Sequence, residues 1–258
     1  MEKVCYRPLI DEMVWSYSRI SCFDDCPYKW FLKYIKNLKE EPQFYASYGS
    51  FLHKLIEKIY NNELSAEQAG FEFLLDFQAS VKGNRPQEST VKKYISSGID
   101  YFRNFKPFPF NKIAVEKKID FKIGENKFTG YIDYLGEKNG KYYIIDNKSR
   151  DLSPRSTRKT PTKKDEELDT MLRQLYIYAV AIKQEYGVFP EKLCFNCFKS
   201  QTFIEEPFNK NTYYETIDWA TAKIDEIKNT ELFPPNREFF KCSNICGLNE
   251  KCYCWQTR

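Results

Sequence analysis

Long apolar runs are missing from this chain. None approaches the roughly 20 residues that a helix needs to cross a bilayer, so no membrane-spanning helix is expected. The opening stretch, Met1 to Asp11, lacks an apolar signal-peptide core and carries Glu2, Arg7 and Asp11, so no secretory leader is read and a cytoplasmic protein is expected. No Gly-x-Ser-x-Gly and no P-loop occur, so ATP-driven strand separation would need a separate partner. Internal repeats and domain linkers are also missing. One unit over 1–258 is therefore expected, with a helical part at 1–110, a core at 111–207 and a cysteine-rich end at 208–258.

Forty basic residues against 36 acidic ones leave a net charge of +4, weak evidence by itself for a polyanionic partner. Apolar residues at 42% and charged residues at 29% fit a folded protein rather than a disordered one. The basic residues concentrate in one place: Arg150, Arg155, Arg158, Lys159, Lys163 and Lys164 stand in 150–164 against the single acid Asp151. Its Ser, Thr and Pro content reads as a mobile loop, either a solvated linker or a flap whose Arg155, Arg158 and Lys159 touch phosphates. The 19 tyrosines and 21 phenylalanines are mostly core, with some open to base stacking.

Apolar spacing predicts a helix capped by Ser18 and broken near Pro27. A second opens at Gly49, with Leu52, Leu55, Ile56 and Ile59 on one stripe, and others follow over 64–80 and 89–105. The period then changes to two. Strands are expected over 112–123, around 128–134 and over 141–148, joined by Gly124-Glu125-Asn126 and Lys138-Asn139-Gly140 turns. A helix over 165–185, strands at 192–198 and 202–207 and a helix over 210–229 complete an α/β (mixed α+β) pattern.

The chemistry gathers at the ends of two strands. In Lys141–Lys148, side-chain alternation turns Asp146 and Lys148 to the same face, roughly 6–7 Å apart. The acid can hold a hard cation through oxygen, and the lysine can orient water and offset developing negative charge. Asp133, at the end of Gly130-Tyr131-Ile132-Asp133, would reach the same ion if the two strands form a hairpin.

Gly-x-x-Asp followed by a strand ending in Asp-x-Lys resembles the PD-(D/E)XK nuclease superfamily, and more narrowly its RecB/AddB-like and CRISPR-adaptation exonuclease group. Cys26-Pro27 resembles that group's opening helix, Gly49-Ser50-Phe51-Leu52-His53 its Gly-x-x-x-His element, and Gln174 with Tyr178 its Gln-x-x-x-Tyr motif. The resemblance implies a restriction-endonuclease-like αβββαβ core with added N-terminal helices. It implies that His53, Asp133, Asp146 and the Asn147 carbonyl hold Mg²⁺ or Mn²⁺, that Lys148 activates water, and that Gln174 and Tyr178 support the site or touch substrate. Glu116 would contribute weakly. The implied substrate is DNA, as single strands or duplex ends, with a helicase or a CRISPR adaptation protein as a possible partner.

Nine cysteines in a chain without a leader point to metal or cluster ligation rather than disulfides. The resemblance implies a [4Fe–4S] cluster on Cys26, Cys242, Cys246 and Cys252. Three residues separate Cys242 from Cys246 where the group has two, so Cys254 can stand in for Cys252 and Cys22 for Cys26. Four thiolates also suit Zn²⁺. Cys194 and Cys197, on an expected strand, read as packing residues.

Overall fold

Period-two alternation builds the centre of the molecule. In the computed structural model, which describes residues 6–256, three consecutive strands form a meander: β1 (Asn111–Ile123), β2 (Asn126–Lys138) and β3 (Lys141–Lys148). Asn139 and Gly140 both take positive φ, 54° and 75°, the twist that a two-residue hairpin needs. The chain then crosses over through the helix Lys163–Tyr186 to β4 (Lys192–Cys197), which lies parallel to β3, and turns back as β5 (Thr202–Pro207). The sheet order is β1-β2-β3-β4-β5. This is the expected mixed α/β core of βββαβ order.

Helix Lys163–Tyr186 starts at a capping box in which the Thr162 and Asp165 side chains each bond the other's backbone N–H, and it ends at Gly187 in the left-handed conformation. Its Leu168, Leu172, Leu175, Ala179 and Ile182 are buried in one cluster with Ile119, Ile132, Ile144 and Phe195 of the sheet. A second cluster joins three helices that precede the sheet, Phe44–Tyr60, Ala66–Ser80 and Glu88–Arg103, through Leu52, Leu55, Phe73 and Phe102.

Two helix starts differ from expectation. Ser16, not Ser18, caps Tyr17–Asp25, its hydroxyl accepting from the Arg19 N–H at 3.2 Å. The helix carrying His53 begins at Phe44, so Gly49 lies inside it. A Cβ at Gly49 would stand 2.9 Å from Ser149 Oγ, so glycine lets this helix pass close to the end of β3.

After helix Lys210–Asn229 the chain runs through Pro234 and Pro235 into short helices at Phe239–Asn244 and Tyr253–Gln256. This end returns to the start of the fold: Pro234 O accepts from the Tyr28 N–H at 3.2 Å, and Gly247 O from the Glu41 N–H at 2.8 Å. Cys5 lies outside the described residues. Among those described, no helix is long and apolar enough to cross a membrane.

Candidate active site

Sheet register brings the acids together. Tyr134 pairs with Ile145, so one further step of the hairpin sets Asp133 beside Asp146. Asp133 Oδ2 accepts the Asn147 N–H at 2.7 Å, which ties the end of β3 to β2. On the other side, Asn196 of β4 donates to Asn147 Oδ1 at 2.8 Å and also to the Tyr101 hydroxyl at 2.8 Å.

His53 reaches this point from its helix. Its Nε2 is 2.9 Å from the Asn147 carbonyl, and its Nδ1 is 3.4 Å from Asp133 Oδ2 and 3.9 Å from Glu116 Oε1. A proton on Nε2 would leave the Nδ1 lone pair aimed at the acids. Burial works against the charged imidazole, but the nearby carboxylates of Glu116, Asp133 and Asp146 outweigh it and raise the His53 pKa. Burial, then the neighbouring Asp146 charge, pushes Asp133 up to about 7.

Glu116, expected to contribute weakly from a polar strand face, lies with His53 and Asp133. Ligand atoms of His53, Glu116 and Asp133 lie within 4.8 Å of one another, among the described residues a grouping able to hold a metal ion. Glu116 has φ 48°, a left-handed backbone that costs a side-chain-bearing residue about 1–3 kcal/mol. β1 is regularly paired with β2 on both sides, at Val115 and Lys117, so the strain is confined to the residue that faces the acids.

Asp146 stands next to this trio. Its buried Oδ2 lies 2.7 Å from Lys148 Nζ but has no aligned hydrogen-bond donor. A buried carboxylate oxygen left in this way, beside an imidazole and two further carboxylates, fits a hard divalent cation. Lys148 Nζ also donates to Gln174 Oε1 at 3.0 Å, and Gln174 Nε2 donates to the Tyr178 hydroxyl at 3.1 Å. The lysine is thus held between an acid and a relay of two polar side chains four residues apart on one helix face. Burial pushes the Tyr178 phenol well above its usual range, so it is a neutral group. A Cβ at Gly130 would come within 2.7 Å of the Tyr178 ring. The glycine of Gly-x-x-Asp therefore makes room for the tyrosine of Gln-x-x-x-Tyr.

His53, Glu116, Asp133, Asp146, Lys148 and Gln174 line a cleft of about 1180 Å³; Tyr178 lies behind it. Arg155, Arg158 and Lys159 do not line it. Arg155 is engaged by Asp169 at 2.6 Å and Glu206 at 2.8 Å. The segment expected to be mobile is fastened: Leu152 is buried, and Asp165 accepts from Ser156 and Thr162. Besides Lys148, the cations that line the cleft are Lys54, Arg150, Lys199 and Lys241, of which Arg150 pairs with Glu167, Lys199 with Asp151 and Lys241 with Asp25 and Glu238. Lys54 and Arg150 were legible by adjacency, next to His53 and two residues past Lys148. Lys199 and Lys241 come from distant chain segments with no such signal.

The thiols form a separate site. Cys26, Cys242, Cys246, Cys252 and Cys254 line one small cavity of about 40 Å³. Cys26 Sγ accepts from the backbone N–H groups of Lys29 and Asn236, each at 3.4 Å, and Arg237 donates to Cys254 Sγ at 3.2 Å. Cysteines gathered on one cavity, with N–H donors aimed at two of their sulfurs, have the chemistry of a thiophilic metal centre, although among the described residues no three of these sulfurs lie within 4.8 Å of one another. Cys22 lines a neighbouring cavity with Cys26, Cys242 and Cys246, and burial pushes its thiol up to about 11. Cys194 and Cys197 are fully buried in β4.

The family model of the PD-(D/E)XK nuclease superfamily matches residues 14–253. No curated protein matches the chain. Among the solved structures that match is the crystal structure of a "Putative exonuclease" from Eubacterium rectale, 12% identical, covering 94% of this chain and 91% of that one with a TM-score of 0.52. At that identity the likeness speaks for the fold. The crystal structure of SSO0001, 16% identical over 88% of this chain and 94% of that one, has a TM-score of 0.33, too low for more than a distant likeness. With nearly the whole chain matched by the model, and Asp133, which lies inside β2 rather than at the strand end expected, meeting Asp146 and Lys148 at the end of β3, the chain belongs to the PD-(D/E)XK nuclease superfamily.

Proposed function

We propose that this protein is a Mg²⁺- or Mn²⁺-dependent deoxyribonuclease, an exonuclease that trims single strands or duplex ends. The observation that carries this reading is the buried Asp146 carboxylate, paired with Lys148 and set next to Asp133, Glu116 and His53 on the floor of a cation-lined cleft. The fold neighbour's description as a "Putative exonuclease" agrees with it.

Asp133, Asp146, Glu116 and His53 would hold the divalent ion, with the Asn147 carbonyl beside them. When bound, the ion supplies Lewis acidity toward a phosphate oxygen and lowers the pKa of water. Lys148, anchored by Asp146 and Gln174, is placed to orient the attacking water and to offset charge that builds on the phosphate. Tyr178 and Gln174 act as positioning residues for that lysine. Lys54 is placed for a phosphate contact on the cleft wall, and Arg150, Lys199 and Lys241 would exchange their present carboxylate partners for phosphates.

In the same reading the thiol site holds a [4Fe–4S] cluster on Cys26, Cys242, Cys246 and Cys252, with Cys254, on the same cavity and bonded by Arg237, able to stand in for Cys252. The setting would be recombination, repair, phage DNA processing or CRISPR adaptation in the cytoplasm, with a helicase or an adaptation protein as partner. The test uses 5′- and 3′-labelled single- and double-stranded DNA. Fragments released with Mg²⁺ or Mn²⁺ and stopped by chelator are expected; uncut DNA under all conditions would refute the reading. Brown anaerobic protein with iron and labile sulfide supports the cluster, whereas colourless protein with stoichiometric zinc replaces it.

A further inference from the structure

We propose that Tyr45, Tyr94 and Phe240 form a stacking platform for an unpaired base of the DNA strand held at the Asp133–Asp146 centre. This rests on the nuclease reading and adds to it the element that would make a single strand or a frayed end the preferred substrate.

The three rings come from three separate helices, Phe44–Tyr60, Glu88–Arg103 and Phe239–Asn244, and all line the same cleft as the acids and Lys148. They touch in series: Tyr94 to Tyr45 with ring centres 5.5 Å apart, and Tyr45 to Phe240 at 6.5 Å. Phe240 is 54% exposed. A phenylalanine left half in water forgoes burial that a stacked base would restore.

The placement relative to the acids is set by one helix. Tyr45, Gly49 and His53 are spaced by four, so they share a face, and all three line the cleft. Eight residues of helix rise roughly 12 Å, a distance that a few nucleotides of strand can cover. A strand with its phosphate at His53 and the acids can therefore lay a neighbouring base against Tyr45.

Cations accompany the rings. Lys199 Nζ lies 5.6 Å from the centre of the Tyr94 ring, and Lys241 follows Phe240 in sequence and lines the same cleft. Rings interleaved with amines suit a nucleic acid strand, whose charge tracks the amines while its bases stack. Within a duplex both faces of each internal base are already stacked, so a platform of this kind discriminates in favour of unpaired or terminal nucleotides.

The wall also depends on the cysteine site. Phe240 and Cys242 sit on one six-residue helix, the ring turned to the cleft and the thiol to the cysteine cavity. Whatever fixes Cys242 fixes the ring.

The test measures binding of single-stranded DNA carrying 2-aminopurine near its end, with Ca²⁺ replacing Mg²⁺ or Mn²⁺, on the full chain. The wild type should quench the probe. Phe240→Leu and Tyr45→Leu should each lose the quench and weaken single-strand binding about tenfold, with duplex affinity held and circular dichroism native. Phe240→Tyr should restore both, which a merely structural role would not require. If the protein cuts DNA but the leucine variants bind and quench like wild type, the platform falls and the nuclease reading stands. If the wild type neither binds nor cuts DNA, both fall.

Discussion

The acid centre and the cysteine cavity are built in opposite ways. The first sits on the sheet, with Glu116 and Asp133 inside β1 and β2 and Asp146 near the end of β3, and strand pairing sets its geometry: Asp133 bonds the Asn147 amide, Asn147 bonds Asn196, and His53 meets the Asn147 carbonyl. The second lies between the start of the fold and a tail of short helices, held by a few contacts such as the Asn236 N–H to Cys26 Sγ. One site is preformed by the sheet and, on the proposed reading, would recruit an ion. The other joins residues more than 200 apart in sequence and would gain its order from what it binds, since a centre that ligates both ends restricts the unfolded chain as a cross-link does. The lesson is that chemistry and closure reside in separate parts of the molecule and can be perturbed separately.

Loss of the acid or the amine tests the first half most severely. Asp146→Ala or Lys148→Ala should lower cleavage by about 10³-fold or more, about 4 kcal/mol of barrier, with native circular dichroism and an unchanged cysteine centre. The reverse experiment is Cys242→Ser. It should remove about 4 kcal/mol of stability on a cross-link estimate, read as a lower melting temperature. Calorimetric Mn²⁺ binding at the acid centre should survive.

Next in size is pH. With Asp133 raised to about 7, a divalent ion must displace a proton below that value, so Mn²⁺ affinity should fall about tenfold for each unit of pH below 7. Without the ion the sign for folding is also fixed. From near pH 4, where an unfolded aspartate ionises, up to 7, the folded protein keeps a proton that the unfolded chain releases. Stability from this group therefore declines as pH rises, and added Mn²⁺ should raise the melting temperature more at pH 7.5 than at pH 5.

Smaller still is Gly130→Ala, which pushes into the Tyr178 ring and should cost about 1–3 kcal/mol. Smallest is Glu116→Gly. It relieves the left-handed backbone and should stabilise the metal-free protein by about 1 kcal/mol while weakening Mn²⁺ binding. A loss of stability in calorimetry would mean that Glu116 is not strained.

Much of this was legible in the residues. The Asn139-Gly140 turn and the alternation of Lys141–Lys148 fixed a hairpin, and the hairpin fixed which acid meets which. The helix Lys210–Asn229 ended where expected, before Pro234 and Pro235. What stayed hidden was set by tertiary contact. Glutamate carries no signal for a positive φ, so the turn of Glu116 toward His53 could not be read. Gly49 looked like a helix start because glycine is costly inside one; Ser149, a hundred residues on, supplies the reason for it. Arg155 looked free for phosphate because Asp169 and Glu206 reach it only through the fold.

The central claim is geometric, and Mn²⁺ can report on it directly. Crystals soaked in Mn²⁺ should show an anomalous scattering peak within ligand distance, about 2.0–2.3 Å, of oxygens of both Asp133 and Asp146, with Glu116 and His53 alongside. A peak held by other residues, or no peak there at saturating Mn²⁺, would contradict the account.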